Sequence, residues 1–132
     1  MRNRRKPRKA ATRHPFPRVD DGPATFILDS GVEIHEVYPE TFYLPPAEER
    51  ETLQPGDLAK LIFRITGGKR TAVERMWVIV EKVRKGNYVG VLDNDPYCTE
   101  SIRHGLVVAF QPKHVIQIHR KNADWPQEWQ AQ

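Results

Sequence analysis

A mainly β fold is what this chain predicts, and three features of residues 55–118 predict it. The apolar runs there are short, and turn residues such as Pro55-Gly56-Asp57, Gly67-Gly68 and Asp93-Asn94-Asp95-Pro96 cut them repeatedly. The runs alternate: Leu61, Phe63 and Ile65 fall on one face, and Trp77 and Ile79 oppose Val78 and Val80. The last two runs are separated only by Gln111-Pro112-Lys113-His114, about the length of one 3-10 turn. Five short strands with such a turn before the last predict a small SH3-like β-barrel over residues 57–119.

The expected strands are Leu58–Ile65, Met76–Val83, Tyr88–Leu92, Leu106–Phe110 and Val115–Ile118. A loop holding Gly67-Gly68 joins the first two, and a tight turn at Lys85-Gly86-Asn87 joins the second to the third. Ahead of them, Ala24–Leu28, the turn Asp29-Ser30-Gly31 and the alternating Val32–Val37 predict an N-terminal hairpin over 24–37. Pro46 to Leu53 predicts a short helix, with proline tolerated in its first turn and Glu48 and Glu49 placed where the helix dipole favours negative charge. The single β domain spans 24–120. It is preceded by a basic, proline-broken arm at 1–23 that cannot bury enough apolar surface to order itself, and followed by a Trp-containing tail at 121–132.

Composition narrows the function classes. A chain of 132 residues is one domain's worth. The lone Cys98 forms no internal disulfide and no Cys-based metal site, and it suits a reducing cytoplasm. No apolar stretch approaches the roughly 20 residues of a membrane span, so no membrane partner is expected, and no apolar region follows the basic start as a secretory signal would require. The net charge of +4 hides an asymmetry. Arg2, Arg4, Arg5, Lys6, Arg8, Lys9, Arg13 and Arg18 lie within residues 1–18 without a single acid, and the remainder is mildly acidic.

Several pieces in order, "LQPGDLAKLIFRI", "ERMWVIVEKV", "GNYVGVLDNDP" and "HGLVVAFQPKHVIQI", carry a resemblance. With Met76-Trp77-Val78, the turn Gly90 to Pro96, and Gly105 to Phe110, in which Val108 and Phe110 take the family's places, the chain resembles the YegJ-like bacterial domain of unknown function over residues ~53–118. The resemblance implies a fold and supplies little function, because that family has no established activity.

The polar features divide between chemistry and turns. Asp93 and Asp95 are two apart, as cation ligands can be, but the calcium-loop pattern is missing and an Asn/Asp/Pro turn accounts for the cluster; no metal and no cofactor are expected. Gly67-Gly68-Lys69-Arg70-Thr71 fails as a phosphate loop, since Phe63 stands where glycine is required and Arg70 displaces the Ser or Thr. His114 and His119 are five apart along the chain and tend to face opposite sides of a strand. Cys98, His104 and Asp95 suggest a small hydrolase only if the fold brings them together.

The leading expectation is a non-enzymatic binding module that contacts a protein partner, inhibitor- or immunity-like by fold analogy, through an edge strand and the loop Asp93–Gly105. Asp93, Asn94, Asp95, Tyr97, Arg103 and His104 are the contact residues in that loop. The alternative is a nucleic-acid-binding protein whose eight arm cations engage DNA or RNA, with Tyr88, Tyr97 and Trp77 as stacking rings if exposed. Trp125 and Trp129, four apart, either fold back onto the barrel or form a docking tail.

Overall fold

The computed structural model describes residues 17–121. They form six strands: β1 (Thr25–Leu28), β2 (Leu58–Gly67), β3 (Arg70–Arg84), β4 (Asn87–Leu92), β5 (Val107–Phe110) and β6 (Gln117–His119). Two short helices, α1 (Gly31–Val37) and α2 (Ala47–Arg50), and a 3-10 turn, Pro112–His114, complete the fold. The protein is mainly β, and its antiparallel sheet curls into a half-barrel.

β2 to β5 run as an antiparallel meander in the order β2-β3-β4-β5. β3 occupies one edge of β2 along its whole length. The other edge is shared end to end, with β6 beside Leu58–Lys60 and β1 beside Phe63–Thr66. The 3-10 turn makes this return possible: Val115 donates its N–H to the Pro112 carbonyl and turns the chain from β5 toward β2. One register shift lies between Val80 and Lys82, and the extra residue, Glu81, lets the 15-residue β3 bend through both halves of the curled sheet.

Alternation sorts the faces as the sequence predicts. Ala59, Leu61, Phe63 and Ile65 of β2 point inward with Met76, Val78 and Val80 of β3, Tyr88 and Leu92 of β4, and Val108 and Phe110 of β5. Gly90 holds the closest approach inside: a Cβ there would lie 2.3 Å from the Ile79 carbonyl oxygen, so no side chain fits.

Several boundaries differ from expectation. The predicted hairpin over 24–37 does not form. β1 pairs with β2 instead, and residues 31–37 are helical. Ser30 decides this, because its Oγ accepts the Glu33 N–H as an N-cap. Gly31 lies so close to Ile116 and Leu44 that a Cβ would stand 2.7 Å from Ile116 Cγ2. The expected helix over 46–53 is the single turn Ala47–Arg50, since Leu53 is drawn into the core. The loop expected between Ile65 and Met76 shrinks to Gly68-Lys69, with Thr66 opposite Thr71 and Gly67 opposite Arg70. Gly68 has φ +62° at the first central position, which a mirror-image hairpin turn requires. The last strand begins at Gln117 rather than Val115, because Val115 closes the 3-10 turn and is buried.

Within the stretch read as a disordered arm, residues 17–23 are described, and they are tied down. Val19 is buried, its N–H donates to the Cys98 carbonyl, and Arg18 donates to the Tyr97 carbonyl. Residues 1–16 and 122–132 lie outside the described residues, and with them Arg2 to Arg13, Trp125 and Trp129. Among the described residues no helix is long and apolar enough to cross a membrane.

Candidate ligand-binding groove

The outer face of β2 and β3 carries a different chemistry from the inner one. Lys60 stands between Gln117 and Trp77 in one cross-strand row, and Ile62 faces Arg75 in the neighbouring pair. Side chains directly opposite in an antiparallel sheet share a face. Ile62 and Ile116 are buried on this outer side, outside the main core.

The segment between the two helices is held by polar contacts. His35 Nδ1–H donates to the Phe42 carbonyl at 2.7 Å, and the Tyr38 carbonyl accepts the Phe42 N–H. Arg50, itself buried, donates from Nε to the Pro45 carbonyl at 2.8 Å and from Nη1 to the Pro112 carbonyl at 3.1 Å. These contacts stand residues 41–43 against the sheet.

Between them lies a groove of about 370 Å³ lined by Thr41, Phe42, Tyr43, Lys60, Arg75, Ile116 and Gln117. Two cation–π pairs frame it. The Lys60 ammonium lies 5.4 Å from the Trp77 ring centroid, and the Arg75 guanidinium lies 5.5 Å from that of Phe42. Tyr43 is 70% exposed. No carboxylate is among the lining residues. Four arginines elsewhere are engaged in ion pairs: Arg64 with Asp29, Arg70 with Asp20, Arg103 with Asp95 and Arg120 with Asp57. Among the described residues Lys60 and Arg75 have no ion-pair partner, so their charge is available to an anion.

Charge is segregated along the fold. Residues 29–57, which carry both helices, hold eight Asp and Glu against one Arg. Residues 58–121, from β2 to β6, hold twelve Lys and Arg against five acids. The mild acidity outside the first eighteen residues therefore resolves into an acidic helical segment and a basic sheet.

The loop from Asp93 to Gly105 is largely engaged with itself and with β3. Asn94 Oδ1 accepts the Trp77 N–H at 2.6 Å, and the Asp93 N–H donates to the Trp77 carbonyl. Asp95 Oδ1 accepts both the N–H and Nδ1–H of His104, with Arg103 3.8 Å away. The backbone N–H of His104, then its ring, hold the Asp95 carboxyl below the usual carboxylate range. Asp95, Arg103 and His104 are thus brought together, and all three are exposed. Tyr97, 46% exposed, stands where the loop meets residue 18.

Cys98 is fully buried whereas Asp95 and His104 are exposed, and the Cys98 N–H donates to Glu74. Burial first, then hydrogen bonding to Glu74 and that residue's charge, push the thiol from near 9.0 to about 12. This environment opposes the thiolate that a nucleophile needs. Native protein should resist thiol alkylation at pH 8 and react once unfolded. The sign for stability follows: above pH 9 the unfolded thiol ionises and the buried one does not, so the native state loses relative stability as pH rises toward about 12. The stability difference between wild type and Cys98→Ala should change across that window, and equal pH curves for the two would contradict the assignment.

A second exposed feature is apolar. Leu58, Ile79, Val91 and Val107 pair in one row across β2 to β5 on the outer face, and Val107 is 65% exposed.

Sequence reasoning had not singled out Phe42, Tyr43, Lys60 or Arg75. The available signal was three aromatics, Tyr38, Phe42 and Tyr43, set among prolines in a segment with no periodicity. No protein-family model, curated protein or solved structure matches the chain.

Proposed function

We propose that this chain is a non-enzymatic binding module on an SH3-like barrel and that its ligand is a nucleic acid. The barrel assignment rests on the four-strand meander, the 3-10 turn and the return of β6 to the first strand of that meander. Kinship with the YegJ-like domain belongs to the same proposal, supported by Met76-Trp77-Val78 on β3 and Gly90 at the tightest point of β4. A cytoplasmic location fits the single buried thiol.

The observation that carries the nucleic-acid reading is the pair of unpaired cations among aromatic rings, set on a sheet segment with twelve basic and five acidic residues. The seven cations from Arg2 to Arg13 add polyanion affinity on the same chain. Fluorescence anisotropy with labelled RNA or DNA should detect binding at about 50 mM salt, and affinity should fall about 0.7 log units per log unit of salt for each single-strand phosphate neutralised. Serine at those seven arm positions should flatten that slope. Absence of binding at low salt would end this reading.

A protein partner is the second reading, favoured by the outer row Leu58, Ile79, Val91 and Val107 and, in the 93–105 loop, by the exposed Tyr97 and the braced Asp95–His104 pair. An inhibitor- or immunity-like role belongs to that reading. Its signature is a stoichiometric protein complex lost in Val107→Lys and retained in Lys60→Ala.

A further inference from the structure

We propose that the groove between residues 41–43 and the outer face of β2 and β3 is a subsite for an unpaired nucleotide within a single strand. Its phosphate lies between Lys60 and Arg75, and its base stacks on Tyr43. The inference deepens the nucleic-acid reading and rests on it.

Three features select a single strand. About 370 Å³ is near the lower end of the roughly 300–1,000 Å³ typical of small-ligand sites, which suits one nucleotide unit. Tyr43, with most of its side chain in solvent, can stack only on a base that is not already stacked within a duplex. Lys60 and Arg75 reach the groove from adjacent strands, and no lining carboxylate neutralises them. An acidic peptide would engage the same cations and leave the Tyr43 ring without a planar partner.

The placement of the arm agrees. Residue 19 is anchored at Gly67, where a Cβ would stand 2.6 Å from Val19 Cγ2 and where the Asp20 N–H meets the Gly67 carbonyl. Gly67 is seven residues along β2 from Lys60, roughly 23 Å at about 3.3 Å per residue. The sixteen residues before Pro17 can span about 50 Å when extended, so arm and groove can hold one strand together.

The test uses the full chain and a labelled oligouridylate of about twelve nucleotides, with its duplex as control. Tyr43→Ala should weaken single-strand binding about tenfold and leave duplex binding unchanged, and Tyr43→Phe, which keeps the ring, should restore it. Joint replacement Lys60→Ala and Arg75→Ala should lower the single-strand salt slope by about 0.7, the share of the one phosphate they hold. With Trp125→Phe and Trp129→Phe in the background, oligouridylate should change the emission of Trp77, whose ring lies under Lys60. Thermal midpoints of the Tyr43 and Arg75 variants should match wild type, since both side chains are exposed. Groove variants that bind the strand like wild type, while the arm variant loses affinity, would overturn the groove and spare the nucleic-acid reading. No binding by the full chain would overturn both. An oligoglutamate peptide of equal charge that displaces the oligouridylate at equal concentration would assign the groove to acidic peptides instead.

Discussion

Tyr88→Ala is expected to lower the stability of the fold by about 4 kcal/mol, the cost of deleting a buried aromatic ring. Tyr88 is among the largest fully buried side chains, and its ring packs 5.2 Å from that of Phe110. Its hydroxyl does a second job. It donates to the Arg50 carbonyl at 2.7 Å and accepts the Leu53 N–H at 3.2 Å, which fastens the end of α2 to the sheet. Removing the ring opens a cavity and leaves the Leu53 N–H without its acceptor. Tyr88→Phe isolates the hydroxyl and should cost about 1–2 kcal/mol. Urea unfolding with an unchanged slope measures both. A small domain has only about 5–15 kcal/mol in total, so the alanine variant should sit near the limit of folding. Equal losses for the two variants would show that packing of the ring contributes little.

Glu74→Ala should cost about 3 kcal/mol, because two backbone donors would lose a charged acceptor at a nearly water-free site. Glu74 is a core-facing residue of β3, 5% exposed, between Ala72 and Met76. Its Oε1 accepts the Tyr97 N–H at 3.0 Å and its Oε2 accepts the Cys98 N–H at 2.7 Å. A carboxylate is thus buried in the curled sheet to hold the start of the 97–105 loop. Glu74→Gln keeps the shape and one acceptor oxygen, so its cost should be smaller. It also removes the negative charge that helps to push up the Cys98 thiol, so alkylation in alkaline buffer should begin at lower pH than in wild type. An alanine variant as stable as wild type would mean that water replaces the carboxylate.

The strands were readable because alternation is a local property. Leu61, Phe63 and Ile65 announce an inward face whatever surrounds them, and Gln111 to His114 has the composition and length of the turn it forms. Val32–Val37 misled because its apolar spacing suits either period. Helix and strand differ there by one serine cap and by the contact of Gly31 with Ile116, which lies 85 residues away. Glu74 falls in the stretch expected as a loop before Met76, and nothing local says that it will sit inward on β3 or that the Tyr97 and Cys98 amides will arrive to meet it.

The same distinction runs through the candidate sites. Asp93, Asn94 and Asp95 were legible as turn residues, and the structure finds Asn94 and Asp95 accepting backbone N–H groups. The groove was not legible, because its members come from three distant stretches: 41–43, 60 with 75, and 116–117. By itself the sequence determined a β-rich chain with one cysteine, an inward apolar alternation, a short turn before its last strand and a cluster of cations at its start. Only the tertiary structure decided that β1 joins β2, that Glu74 and Cys98 are buried together, and that Lys60 and Arg75, without an ion-pair partner among the described residues, stand beside Phe42 and Tyr43. The physical reason is that periodicity and turn chemistry act between near neighbours in the chain, whereas pairing of distant strands and the packing of a helix across them set which side chains meet.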